Sequence, residues 1–325
     1  MVIGKFIQIS GTESIVDMKH KIAICFLCLF SGYALLAQER KVVITIDDLL
    51  ATHTDEKQYE YITDKLLEQL NTYDIKAIGF VNENKLYTNN QPDTTKIELL
   101  EKWLKAKMDL GNHTYSHVYI DNTTLEDYER DILKGEIITR PLMERYGKQL
   151  KYFRHTQLRT GPTDEYRKGL TSFLHQHGYT IAPVTIDNDE YIYAYCYRRA
   201  KEVNDTKLME KIAQDYLLYM EKIFAFYENL SNKFLGYQVP QILLIHANNL
   251  NADFLGELIQ MIKKRDYTFI TLDEALHDKA YALPEGTHSR GLSWIQRWMI
   301  TKGQEPESQP SVSKYIQELY QKYTR

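Results

Sequence analysis

Cysteine is scarce. Three occur in 325 residues, Cys25, Cys28 and Cys196, and the first two fall in a hydrophobic N-terminal stretch. A chain left with Cys196 alone forms no internal disulfide and offers no cysteine-based zinc site. Long Lys/Arg tracts are also missing and the formal net charge is −4, which excludes the basic footprint of a nucleic-acid binder. No unbroken apolar run reaches the ~20 residues of a membrane-spanning helix. Internal repeats and low-complexity blocks are absent, and nothing implies a protein partner. What is present is ordinary globular material, 43% hydrophobic and 26% charged, enough for one large core.

The N-terminal stretch is "MKHKIAICFLCLFSGYALLAQER". Lys19, His20 and Lys21 form a basic start, Ile22 to Leu36 an apolar run broken by Ser31 and Gly32, and small Ala37 precedes polar Gln38. This is the pattern of a signal peptide. It predicts an exported protein, periplasmic or secreted, with no stable membrane insertion after cleavage. Met18 is a candidate start. The expected organisation is an extension and signal peptide over 1–37, a main domain over 38–280, and a tail over 281–325 that packs on it.

Within the main domain, apolar strands alternate with amphipathic helices. Strands are expected at 41–46, 76–81, 109–113, 150–154, 179–186, 241–246 and 267–272. Helices are expected at 59–70, 95–107, 124–146, 163–177, 206–230 and 254–262. The Tyr-rich stretch 187–205 is expected to be irregular. Repeated β–α units imply an α/β fold with mainly parallel strands, and about seven of them a distorted (β/α) barrel.

The strand ends carry the chemistry. "VVITIDDLL" runs into adjacent carboxylates, Asp47 and Asp48. Like charges beside a buried strand repel and are costly to desolvate. The third strand ends in "GNHTYSH", with His113 and His117 four apart; Arg154 and His246 close two others. In a barrel all of these face one mouth. Two neutral imidazoles and one carboxylate make a triad for a divalent cation with positions left open for water and substrate. One Asp then ligates the ion, and the other keeps its negative charge beside the reacting water.

"TIDD", "HTYSH", "FRHTQLRTG" and "ILLIHANNLNAD", in this order over roughly 41–276, resemble the motifs of the polysaccharide deacetylases, carbohydrate esterase family 4 with its NodB-homology domain. The resemblance implies a metal-dependent hydrolase that removes acetyl groups from N-acetylated glycans. It assigns Asp47 as general base, and Asp48, His113 and His117 as metal ligands. Arg154 orients the base, His246 is the general acid, and Leu244 lines the acetyl pocket. The backbone near Gln157 helps hold the oxyanion, and Tyr115 is a candidate for stacking on a sugar. The implied cofactor is one divalent ion, zinc first, with Co2+, Ni2+ or Mn2+ as alternatives. The implied partner is an acetylated carbohydrate.

The sequence departs from the family pattern in three places. Leu49 follows the Asp pair where Gly is common, and Thr156 stands where Pro is usual. The motif that ends Asp-Trp is reduced to "TIDNDEY", leaving Asp187, Asp189 and Glu190 as candidates to steady Arg154, with Asp187 preferred. Alternatives are a related hydrolase of a small amide or O-acetyl ester, and a catalytically silent glycan-binding protein. Trp294 and Trp298 read as residues docking the tail. His155, His175, His177, His277 and His288 read as incidental.

Overall fold

The computed structural model describes residues 39–288 and 290–324; the signal segment expected over 1–37, with Cys25 and Cys28, lies outside them. In chain order the first half holds β1 (Arg40–Leu49), α1 (Tyr59–Thr72), β2 (Ile78–Val81), α2 (Thr94–Lys105), β3 (Asp109–Asn112), α3 (Leu125–Lys134), α4 (Thr139–Arg145) and β4 (Tyr152–Phe153). The second holds α5 (Asp164–Gln176), β5 (Thr180–Ile181), α6 (Glu190–Glu202), α7 (Thr206–Leu235), β6 (Gln241–His246), α8 (Asn249–Lys264), β7 (Tyr267–Phe269), α9 (Leu272–Leu276), α10 (Trp294–Thr301) and α11 (Lys314–Thr324). No helix among the described residues is long and apolar enough to cross a membrane.

Seven strands pair in parallel in the order β5-β4-β3-β2-β1-β6, with β7 also on β1, and Tyr87–Thr88 pairs antiparallel with Gln91–Pro92 apart from them. β1 is central and buried on both faces from Val42 onward, so its residues read as a continuous apolar run rather than an alternating one. Closure comes from the segment after β5. Ile186 bridges Leu243 of β6, and Thr185 and Ile186 donate to the Ile242 carbonyl at 3.0 and 3.1 Å. One extended segment thus leans on β4 at its start and on β6 at its end, and the sheet becomes a distorted (β/α) barrel.

Three expectations are corrected. The strand expected over 179–186 pairs only at β5 and at the Ile186 bridge, because it crosses between two partners and Pro183 lacks an N–H to donate. The strand expected over 150–154 is regular only at Tyr152–Phe153. The helix expected over 124–146 is two helices. α3 ends at Gly135, where a Cβ would stand 2.7 Å from the Thr114 carbonyl carbon. α4 starts where the Ile138 and Thr139 N–H groups donate to the Glu83 carboxylate at 2.7 and 2.9 Å.

The stretch expected to be irregular is also corrected, since most of it is α6. Tyr193, Ala194, Tyr197 and Ala200 are buried along one stripe of it, the spacing of an amphipathic helix, and Cys196 is buried with them. In the tail, the Trp294 backbone N–H donates to the Val184 carbonyl at 2.7 Å and Ser293 Oγ donates to the Thr185 carbonyl at 2.7 Å. Trp294 and Trp298 are buried.

Candidate active site

Parallel pairing of β1 with β6 places Asp47 opposite His246. One residue on, Asp48 turns into the left-handed region at φ 66°, a conformation Asp tolerates better than most residues. Between β3 and α3, Thr114 and His117 are left-handed too, at φ 67° and 55°. The His pair is therefore carried by a turn. Asn112 Oδ1 accepts from the Thr114 N–H at 2.7 Å and Thr114 Oγ1 from the His117 N–H at 3.0 Å.

These turns converge. Asp48 Oδ1 is 3.7 Å from His113 Nε2 and 3.6 Å from His117 Nε2, and the three ligand atoms lie within 4.8 Å of one another. Ligands about 2.0–2.1 Å from a tetrahedral ion stand about 3.3–3.5 Å apart, so the spacing suits a small divalent cation. Asp48 Oδ1 is buried with no hydrogen-bond partner among the described residues, an unsatisfied anion facing two imidazoles. Burial lowers the pKa of both histidines, keeping them neutral as ligation requires. His113 Nδ1 donates to the Arg154 carbonyl at 2.8 Å, which leaves its Nε2 lone pair for a metal. The residues fit the ion that the family motifs imply.

Asp47 stands beside this triad, its Oδ2 3.8 Å from His113 Nε2 and its Oδ1 3.8 Å from Arg154 Nε. Arg154 is fully buried and donates from Nη2 to Thr45 Oγ1 at 2.8 Å. Burial raises the Asp47 pKa to about 6 against the lowering effect of Arg154 and His246. Burial raises Asp48 too, but Lys85, His117, His246 and His113 outweigh it and hold that carboxyl well below the usual range. Lys85 donates to the Asp48 carbonyl at 2.7 Å and stands 4.0 Å from its carboxylate.

Across the site, His246 Nδ1 pairs with Glu190 Oε2 at 2.8 Å. Glu190 is fully buried, and its other oxygen accepts from the Asn248 and Asn251 amides. Burial lowers the His246 pKa, yet the Glu190 hydrogen bond and charge, with Asp48 and Asp47, carry it up to about 9. At neutral pH this histidine is an imidazolium with a proton to give.

The cleft has a volume of about 300 Å³ and is lined by Asp47, Asp48, His113, His117, Leu244 and His246, among others. Gln157 and Asp187 also reach it, and the Asp187 charge acts on Arg154 together with that of Asp47. Tyr115 does not join them; its ring packs edge-on against Tyr87 at 5.6 Å with the Lys134 ammonium 3.7 Å from its centroid. Of the Tyr191–Tyr197 stretch, Tyr191 lines the cleft while Tyr193 and Tyr197 are core. Sequence reasoning missed Glu190 as the partner of His246, and it missed Lys85 and His53. It also set aside His155, which lines the cleft with both ring nitrogens buried and unpartnered among the described residues. The one available signal was Glu190 itself, in "TIDNDE", hidden by reading that stretch as irregular.

Residues 36–182 match the polysaccharide deacetylase family, which bears out the resemblance read from the motifs. The match contains Asp47, Asp48, His113, His117 and Arg154 and stops short of Glu190 and His246. No curated protein matches the chain. Several solved structures are similar over 73% of it. One is a CE4 family pseudoenzyme from Bacillus anthracis, 15% identical, with 66% of that chain covered and a TM-score of 0.46. Another is a family 4 acetyl xylan esterase from Clostridium thermocellum in complex with a cobalt ion, 19% identical, 90% covered, TM-score 0.45. A third is a peptidoglycan deacetylase from Bacillus subtilis, 18% identical, 91% covered, TM-score 0.43.

Proposed function

We propose that this chain, whose residues 36–182 match the polysaccharide deacetylase family, is a metal-dependent deacetylase of N-acetylated glycans that works outside the cytoplasm. The observation that carries the reading is the Asp48–His113–His117 cluster set between a carboxylate of raised pKa, Asp47, and a charged histidine, His246. A divalent ion held there would supply Lewis acidity, activating a water and polarising a carbonyl. Asp48, His113 and His117 would hold it, zinc being the first choice for two nitrogens and one oxygen.

The remaining residues move and place protons. Asp47 accepts the proton of the attacking water, and Arg154 holds that carboxylate in place. His246 gives its proton to the amine nitrogen as the carbon–nitrogen bond breaks, because an unprotonated amine is a poor leaving group. Glu190 fixes the His246 ring through Nδ1 and leaves Nε2 to act. Leu244 supplies an apolar wall for the acetyl methyl. The signal pattern over 18–37 motivates the exported location.

The test is acetate release from a panel of N- and O-acetylated glycans, with chelator and with metal added back. Acetate should appear from N-acetylated members, stop with chelator and return with metal, and the activity should fractionate with exported protein. Asp47→Asn should keep the ion and lose ~10²–10⁴-fold in turnover. Release from O-acetyl esters alone would replace this reading with the esterase one. Glycan binding with no acetate under any metal would replace it with a silent binder.

A further inference from the structure

Tail residues 291–298 lie on the turn that follows Arg154. In that turn Gln157 and Leu158 both have left-handed backbones, φ 50° and 52°, a conformation that non-glycine residues rarely take twice in succession. The surroundings must impose it. Arg297, fully buried, donates from Nη2 to the Leu158 carbonyl, from Nη1 to Thr160 Oγ1 at 3.3 Å and from Nε to the Leu292 carbonyl at 3.1 Å. Gly291 presses on the same turn, where a Cβ would stand 2.1 Å from the Gln157 carbonyl oxygen. Trp294 lies between them, stacked on His155 with ring centroids 6.4 Å apart and the Arg297 guanidinium 4.7 Å from its own centroid.

From this turn the Gln157 side-chain amide reaches His117, the amide Nε2 standing 2.9 Å from the ring Nδ1. For His117 Nε2 to offer a lone pair to a cation, Nδ1 must carry the ring proton and needs an acceptor. The amide provides one when its Oε1 faces the ring, a half-turn from the orientation with Nε2 there. The Gln157 side chain is itself exposed, so the hold on its position comes through the backbone of the turn.

We propose that Arg297 is a positioning residue of the metal site: with Gly291 it holds the Gln157–Leu158 turn, and through Gln157 it orients His117. The C-terminal tail is then a working part of the cleft. This rests on the metal-site reading above and extends it to residues outside the family match.

The test is Zn2+ and Co2+ binding to the full chain by titration calorimetry, without substrate. Groups that orient a ligating histidine typically contribute ~10–100-fold to metal affinity. Gln157→Ala should lose that much with an unchanged thermal midpoint. Arg297→Lys keeps the charge but not the planar fork, and it should lose a similar amount. If both act on one path, the double variant binds no more weakly than the weaker single variant. Wild-type affinity in Arg297→Lys, or losses that multiply in the double variant, overturns the inference. Should Arg297→Lys fail to fold, Gly291→Ala probes the same turn from outside the core; it should match Gln157→Ala, and wild-type affinity there overturns the inference equally. A wild-type chain that binds neither ion overturns the metal-site reading as well, whereas tight wild-type binding with insensitive variants overturns the inference alone.

Discussion

Two residues with opposed environments carry the proposed chemistry. Asp47 is a carboxyl raised to about 6 by burial, so it is a free base above that pH. His246 is held protonated up to about 9, burial being outweighed by Glu190, Asp48 and Asp47. The window between them is where base and acid are both ready. Glu190→Gln removes the charge and weakens the hydrogen bond that are the two largest raising influences on His246. The alkaline limb of kcat should therefore move to lower pH and turnover at neutral pH should fall; an unmoved limb sinks the pairing. The stability sign follows from linkage. A raised histidine contributes stability fully present below its unfolded value near 6.5 and lost as pH rises through about 9. In the metal-free protein the stability gap between wild type and Glu190→Gln should be widest below 6.5 and narrow toward 9. Asp47, Asp48, His113, His117, Arg154 and His246 were legible in the sequence because each ends or follows a strand, and a barrel sends strand ends to one mouth. Glu190 was not, because its partner lies 56 residues away and only packing joins them.

At the scale of elements, the turn bearing the histidines hangs from a second one. Asn82 Nδ2 donates to the His113 carbonyl at 2.7 Å, and the Glu83 and Asn84 N–H groups donate to Thr114 and Tyr115 carbonyls at 3.3 and 3.0 Å. Glu83 in turn accepts from the start of α4, including Thr139 Oγ1 at 2.7 Å. Its backbone N–H holds the histidine turn and its fully buried carboxylate holds α4, so one residue after β2 ties the two together. Glu83→Ala strands the buried Thr139 donors, and stranded buried groups cost about 1–3 kcal/mol each. A loss of about 3 kcal/mol in urea unfolding is expected, with a smaller one for Glu83→Gln, which keeps an acceptor oxygen. Equal losses in the two variants would show that the carboxylate is not the tie. This arrangement also explains why one long helix over 124–146 was a misreading. The apolar spacing continues through the break, but Gly135 must pass close to Thr114 and Glu83 draws the next helix start toward itself. Periodicity reports faces and is blind to such tertiary capture. The isolated strands and helices up to 107 lack these constraints, and their expected positions hold.

For the whole molecule, the barrel closes on few hydrogen bonds. The segment 180–186 pairs with β4 through two residues and with β6 through one bridge, a thin seam beside the long β1–β6 pairing. The tail covers that seam through Trp294 and Ser293 and then runs on to α6. There Tyr320 packs edge-on to Tyr195 at 5.3 Å, and Ser313 Oγ donates to Asp215 Oδ2 on α7 at 2.5 Å. It thus braces the helix that begins with Glu190 as well as the turn that carries Gln157, one on each side of the cleft. Trp294, Ile295, Trp298, Met299, Val312 and Ile316 are all buried. At about 1.5–3 kcal/mol for each buried side chain, the six together contribute on the order of 10 kcal/mol, comparable with the ~5–15 kcal/mol net stability of a folded domain. Chain ending at 290 should therefore lose its cooperative thermal transition and become open to proteolysis, beginning at the exposed seam. The sequence marked the tail as a docking segment from two tryptophans four apart, but it could not show that the surface they cover is the closure of the barrel. A truncated chain that melts cooperatively at the wild-type temperature would mean that the seam holds by itself, and that the tail's hold on the Gln157 turn contributes nothing to the stability of the barrel.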